Sequence, residues 1–312
     1  MMSDSAQHVV SVAQFDRARL ERLYKLADEC AEVAAGKRRS TALAGRLLIN
    51  LFFEPSTRTR LSFGSAFLRL GGMVESTVDE SFSSMAKGET LEDTIRVIDG
   101  YADVIVLRHK EKGAAKRAAA VSTRPVINAG DGPGEHPTQA LLDLYTMLKE
   151  RGTIDGLTIA MVGDLLNGRT VHSLARLLAN FEGVSIVFAS PPILGMPESL
   201  LHELTKCGVK WSVAKSLHDA IAASDVLYVT RLQAERFADP AQAAQQIASF
   251  SVSRAAIEAA GRPDITILHP LPRVHDLSTD VDTMSGAAYF RQAHNGVPVR
   301  MALFCDIFGV AP

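Results

Sequence analysis

"LLINLFFEPSTRTRLSFGSAFLRLGG" (Leu47–Gly72) changes its periodicity halfway along. Leu47–Phe53 is an apolar run interrupted only by Asn50, the pattern of a strand buried on both faces. Beyond it, Phe63, Ala66, Phe67 and Leu70 recur at i, i+3, i+4 and i+7, one face of a helix. Gly71 and Gly72 supply the stop. Glu54–Arg60 is therefore predicted to be the turn from a buried strand into a helix, the seam of an α/β fold with parallel sheets.

That turn is crowded with donors: Ser56, Thr57, Arg58, Thr59 and Arg60. A helix start exposes unpaired N–H groups and a partial positive charge, which suits a phosphate or a carboxylate. Arg58 adds a planar, permanently charged fork for phosphate oxygens. Two residues on a helix are about 200° apart around the axis. Arg58 is assigned to a ligand and Arg60 to the scaffold. Alone, the motif reads equally well as a helix capped by Ser56 or Thr57 with solvated arginines.

Working outward, the same alternation recurs. "GMVEST", "DVIVLR" and "PVINAGD" are the further strands of the first half. "LTIAMVGD", "VSIVFAS", "VLYVTR" and "ITILHP" are those of the second. Helices such as "TLEDTIRVIDGYA" and "LLDLYTMLKERG" lie between them. The expected architecture is two similar-sized α/β domains, each with a parallel β-sheet flanked by helices. The boundaries are set at 1–137, an interdomain helix at 138–151, and 152–291, with a C-terminal helix at 292–312 returning to the first domain. Two segments break the rhythm. Asp79–Thr90 is a small-residue loop with one lysine, and Leu232–Phe250 is a long Ala/Gln-rich stretch of the kind used as a lid.

Composition narrows the function classes. The chain has 312 residues, 47% hydrophobic and 22% charged, as expected of a soluble globular protein. A net charge of −2 disfavours a nucleic-acid binder that relies on bulk positive charge. Cys30, Cys207 and Cys305 are scattered, without metal-ligand spacing, and suit a reducing compartment. No stretch suggests a membrane helix, and "MMSDSAQ" is not a signal peptide, so a cytoplasmic location is expected.

In parallel sheets, ligands bind beyond the carboxyl ends of the strands. Polar chemistry gathers at those ends here. Arg108 closes "DVIVLR". "PVINAGD" leads to "GPGEHPTQALLDL", with His136 and Gln139 at a Gly/Pro turn. "LTIAMVGD" leads to Arg169 at the start of a helix whose apolar stripe is Val171, Leu174, Ala175 and Leu178. "VLYVTR" ends in Arg231, with Gln233 beyond, and "ITILHP" runs into "LHPLPR". A lone arginine at such a place is commonly a surface ion pair. Four together (Arg58, Arg108, Arg169, Arg231) suit a site that holds several negative charges. No metal cluster, Ser-His-Asp arrangement or dinucleotide fingerprint competes.

These motifs resemble a known family. "FFEPSTRTRLSF", "KGETLEDT", "VLRH", "HPTQALLDLYT", "MVGDLLNGRTVHSL", "YVTRLQ" and "LHPLPR" are similar, in order, to the catalytic chains of aspartate carbamoyltransferases, within the aspartate/ornithine superfamily. "STRTR" marks the superfamily, while "HPLPR" favours the aspartate branch. Two positions differ from the family pattern: Gly64 stands where Glu is usual, and His275 where an acidic residue is common.

The resemblance implies a first domain for carbamoyl phosphate and a second for L-aspartate, with the active site in the cleft between them. By matching positions, Ser56, Thr57, Arg58, Thr59 and Arg108 hold the phosphate. Thr59, Arg108 and His136 hold the carbonyl oxygen. Gln139 and the backbone of Pro270 and Leu271 orient the carbamoyl nitrogen. Lys87, Arg169, Arg231 and Gln233 hold the aspartate carboxylates. Arg58, Thr59, Arg108 and His136 are the expected catalytic set. The family works as a homotrimer with shared sites, so Ser83 and Lys87 are expected to enter the neighbouring subunit's site. Separate regulatory or dihydroorotase-type chains are further partners that the resemblance leaves room for. No metal or other cofactor is expected, since phosphate is already a good leaving group.

Overall fold

A computed structural model describes residues 7–78, 88–232 and 239–312. The chain divides into two compact units, Met1–Leu141 with His294–Pro312, and Leu142–Ala293.

The first unit opens with α1 (Arg17–Ala34), whose Asp16 side chain caps the Arg19 amide. Leu20, Leu23, Tyr24, Ala27 and Cys30 form its buried stripe. Then follow β1 (Leu47–Phe52), α2 (Thr57–Arg69), β2 (Met73–Val78), α3 (Leu91–Asp99), β3 (Val104–His109), α4 (Ala114–Val121) and β4 (Val126–Asp131). The sheet is parallel, in the order β2-β1-β3-β4. All six residues of β3 and of β4 are buried, including the polar Arg108, His109, Asn128 and Asp131 toward their carboxyl ends. The predicted stop after α2 is present: Gly71 takes φ +86°, and the Gly72 amide bonds back to the Phe67 carbonyl.

Helix α5 (Pro137–Arg151) contains the division between the units, at Leu141/Leu142. The second unit contains β5 (Thr158–Val162), α6 (Arg169–Leu178), β6 (Ser185–Ala189), α7 (Glu198–Lys206), β7 (Lys210–Val213), α8 (Leu217–Ala222), β8 (Val226–Val229), α9 (Pro240–Ser249), α10 (Arg254–Ala259) and β9 (Thr266–Leu268). Its sheet is parallel too, in the order β7-β6-β5-β8-β9. Val162, Leu227, Val229, Ile267 and Tyr289 are among the residues of its core. The sequence reading did not name β7, an edge strand whose four residues are all exposed.

The last helix, α11 (Tyr289–Phe308), gives its C-terminal part to the first unit. There the Phe304 ring meets Phe67 and Phe63 edge-on, with centroids 4.9 and 6.0 Å apart. Arg300 donates to the Ser62 hydroxyl at 2.7 Å and lies over the Phe63 ring. Helix α2, which carries the donor-rich turn, is thereby fixed from its apolar side. Among the described residues no helix is long and apolar enough to cross a membrane.

Candidate active site

Both clusters of site residues lie at the carboxyl ends of strands, one cluster in each unit. In the first unit, Phe52 at the end of β1 is paired with Arg108 on β3, and the Phe53 amide donates to the Arg108 carbonyl at 2.9 Å. The register therefore sets Arg108 beside the turn that carries Ser56–Thr59. His109 is paired in turn with Asp131 at the end of β4, just before His136. The sheet thus gathers these three stretches at one edge.

Ser56 is the N-cap of α2 by its extended backbone, yet its side chain makes no capping bond. Asp16, Thr90, Ser216 and Ser253 do cap their helices. The first-turn N–H groups of α2 are thus not satisfied by the cap side chain, and groups of this kind suit an anion. Thr57 and Arg58 are exposed and Thr59 is buried. Arg58 has no ion pair among the described residues, whereas Arg108 is held. The residue is 7% exposed, and its guanidinium donates to the Ala129 carbonyl at 3.0 Å and pairs with Glu54. Glu54 was not singled out by the sequence reading; its place within the motif was the available signal. Arg60 lies on a different wall, lining a cavity of about 610 Å³ with Asn50, Gly64 and Ser76.

His136 is buried and stands at the head of α5, where its carbonyl accepts the Gln139 amide. The turn before it is locked. Asp131 accepts the Glu135 amide at 2.7 Å and the Gly113 amide at 2.7 Å, while Glu135 takes the Ser11 hydroxyl and the Val12 amide. Gly132, at φ +52°, has no room for a side chain: a Cβ would sit 2.0 Å from the Lys110 carbonyl oxygen.

In the second unit, β5, β8 and β9 are neighbours, so the segments after them share one edge. Arg169 is half-buried at the first residue of α6, which also lacks a capping side chain. Arg231 is exposed just beyond β8, without an ion pair among the described residues. Gly163, after β5, could carry no Cβ, which would lie 2.2 Å from the Thr230 carbonyl oxygen. After β9 comes the turn His269–Asp276, with Leu271 at φ +56°. His269 Nδ1 accepts the Leu271 amide hydrogen at 2.8 Å, so the ring proton sits on Nε2 and bonds the buried Asp276 carboxylate. Burial favours the neutral form of Asp276, but the hydrogen bonds from His269 and the Val274 amide hold its pKa below the usual carboxylate value. Ser83, Lys87 and Gln233 lie outside the described residues. Among the described residues no group of three or more His, Cys, Asp or Glu side chains is placed to hold a metal ion.

Two α/β units with arginines and uncapped helix starts at their strand ends have the frame of an enzyme that handles anionic substrates. The chain belongs to the aspartate/ornithine carbamoyltransferase family: residues 7–149 match its carbamoyl-phosphate-binding domain and residues 155–307 its aspartate/ornithine-binding domain. Within the family it is similar to the aspartate carbamoyltransferase catalytic subunit of Methanopyrus kandleri, with 49% identity over 99% of either chain. The solved catalytic subunit of M. jannaschii aspartate transcarbamoylase superposes with a TM-score of 0.92, at 46% identity, over 97% of this chain and 98% of that one. The Trypanosoma cruzi aspartate transcarbamoylase in complex with carbamoyl phosphate and aspartate gives a TM-score of 0.88 at 42% identity, over 96% of each chain.

Proposed function

We propose that this chain transfers the carbamoyl group of carbamoyl phosphate to the amine of L-aspartate, giving N-carbamoyl-L-aspartate and phosphate, an early step of pyrimidine synthesis. The observation that carries the reading is the corner of the first unit where exposed Arg58, on an uncapped helix start, stands beside the register-paired strand end that bears buried Arg108.

The aspartate amine attacks the carbonyl carbon, a C–N bond forms, and the C–O bond to phosphate breaks. The amine proton passes to the departing phosphate. Ser56, Thr57, Arg58, Thr59 and Arg108 hold the phosphate group. Thr59, Arg108 and His136 bond the carbonyl oxygen and stabilise its charge in the tetrahedral intermediate; donors aimed at developing charge are often the largest catalytic term. Gln139 and the carbonyls of Pro270 and Leu271 orient the carbamoyl nitrogen. Arg169, Arg231 and Gln233 take the aspartate carboxylates, a pattern suited to a dicarboxylate and unsuited to a cationic acceptor. The domain limits 1–137, 138–151, 152–291 and 292–312 belong to the same reading, since transfer requires both units to act on one pair of substrates.

The working form is a cytoplasmic homotrimer in which Ser83 and Lys87 serve a neighbouring site. Separate regulatory or dihydroorotase-type chains are the further partners such an assembly would accommodate. Phosphate release from carbamoyl phosphate, measured with L-aspartate and with L-ornithine, tests the activity. Release with aspartate alone is expected, and a folded protein inert toward aspartate would defeat the reading. Mixing inactive Arg58→Ala and Lys87→Ala chains should restore part of the activity if sites are shared.

A further inference from the structure

The second unit contains a chain of buried polar groups that the reaction, as assigned above, does not use. Asp143 on α5 is fully buried. Its Oδ2 accepts the Tyr228 hydroxyl at 2.7 Å, and its Oδ1 accepts Gln292 Nε2 at 2.6 Å. Tyr228, on β8, is also fully buried, and Gln292, on α11, is 1% exposed. Gln292 Oε1 in turn accepts the His269 amide at 2.8 Å. The amide orientation of Gln292 is fixed from both sides, since a carboxylate requires a donor and a backbone N–H requires an acceptor. From His269 the chain continues through Nδ1 to the Leu271 amide and through Nε2 to Asp276, whose Oδ1 takes the Val274 amide at 3.2 Å. On the other side, the Thr170 side chain neighbours the Tyr228 hydroxyl. Burial, reinforced by the Asp143 charge, keeps the phenol protonated as a donor.

The two ends of this chain are informative. Thr170 adjoins Arg169 in the first turn of α6, the position assigned to an aspartate carboxylate. Leu271 belongs to the turn assigned to the carbamoyl nitrogen. Leu271 adopts a left-handed backbone that a branched side chain disfavours, a conformation that persists only where its surroundings over-determine it. A buried carboxylate held by a phenol and an amide is also expensive compared with apolar packing. A protein that keeps both features is fixing two turns against each other.

We infer that Asp143 is a positioning residue for the transfer: through Tyr228 and Gln292 it holds the Arg169 turn and the Pro270–Leu271 turn in mutual register. The inference rests on the carbamoyltransferase reading. Asp143 touches neither substrate in that reading; it sets where the groups that do so stand.

The donor–acceptor order supplies the test. Asp143→Asn keeps the shape but turns one of two acceptors into a donor: either its Nδ2 faces Gln292 Nε2, donor against donor, or it turns over and the Tyr228 hydroxyl can no longer donate to it. If Gln292 turns over to relieve this, its amide nitrogen faces the His269 N–H. Adding Gln292→Glu restores an acceptor toward both neighbours and returns the lost charge. The wild type is assayed first, and absence of turnover with aspartate overturns the parent reading and this inference together. Given an active wild type, D143N should lower kcat/KM for aspartate by roughly 10- to 100-fold, the scale expected for misplaced groups. Competitive inhibition by inorganic phosphate against carbamoyl phosphate should stay unchanged, because the phosphate seat is in the first unit. D143N/Q292E should recover most of the loss. If D143N does not fold, Tyr228→Phe, which removes one bond and leaves the carboxylate, should raise KM for aspartate several-fold with phosphate inhibition intact. A folded D143N with wild-type kcat/KM overturns the inference. So does a double variant no better than the single one, or a Y228F enzyme with wild-type aspartate kinetics.

Discussion

Glu54 accepts a hydrogen bond from the Arg108 guanidinium across the paired ends of β1 and β3. The pair is unequal: the arginine side chain is 9% exposed and the glutamate 26%. Arg108 also bonds the Ala129 carbonyl, so two bonds from different elements aim its fork.

Glu54→Gln tests what that aim is worth. The amide retains the shape and loses the charge partner of a buried cation. Stability should fall by about 1–3 kcal/mol, the range for a buried group that loses a charged hydrogen bond. A shift of Arg108 should lower kcat roughly 10- to 100-fold, since misplacement by about 1 Å can cost 10². Urea unfolding and steady-state kinetics read the two effects separately. Full turnover in a destabilised variant would show that Glu54 serves the fold alone.

Arg58 should behave in the opposite way. It is exposed, and no ion pair holds it among the described residues. Arg58→Ala should leave stability within about 0.5 kcal/mol. Turnover should nevertheless fall by about 10²–10³, the worth of one donor aimed at developing charge. Arg231→Ala is expected to act on the other substrate, raising KM for aspartate with little change in the response to carbamoyl phosphate. An unchanged aspartate saturation curve would remove Arg231 from the carboxylate seat.

The contrast between these arginines shows what the sequence made legible. The switch of period at Phe53, the Gly71 stop and the polar residues after each strand are local signals, and the parallel sheets carry them out. Strand β7 had no such signal, because an exposed edge strand shows no apolar run. Register was invisible as well: nothing in "VLRH" says that Arg108 pairs with Phe52. The Asp143 chain was hidden for another reason. Asp143 and Gln292 are 149 residues apart, and each looks like an ordinary polar residue on a helix until the fold buries both.

Gly64 sits inside α2 with no backbone need for glycine. A Cβ there would meet Val74 Cγ1 at 3.8 Å and Asn50 Nδ2 at 3.9 Å, ordinary contacts. Gly64→Ala should therefore stabilise the protein by about 0.5–1 kcal/mol through helix propensity and the entropy of the unfolded chain. The urea midpoint should rise with an unchanged slope. A lower midpoint would mean that the space beside Asn50 must stay open in the folded protein.

Asp99 gives a prediction in pH. Its carboxylate accepts the Ser122 hydroxyl at 2.6 Å, the Thr123 amide at 2.8 Å, the Thr123 hydroxyl at 2.6 Å and the Arg124 amide at 3.0 Å. These bonds tie the end of α3 to the loop that enters β4. Burial works to raise its pKa, but the donors outweigh it and hold the group below its ordinary value. A folded pKa below the unfolded one means that the stabilisation is fully present above the unfolded value, about 3.9, and is lost as pH falls through the folded one. Asp99→Asn should therefore be less stable than the wild type at pH 7 and at pH 5. The gap in melting temperature should narrow as pH falls below about 4, where the wild-type carboxylate also becomes neutral. Asp276, depressed in the same direction, leaves a residual acid sensitivity in both proteins. Two melting curves that keep a constant gap from pH 7 to pH 3 would show that the Asp99 charge contributes nothing to the joint.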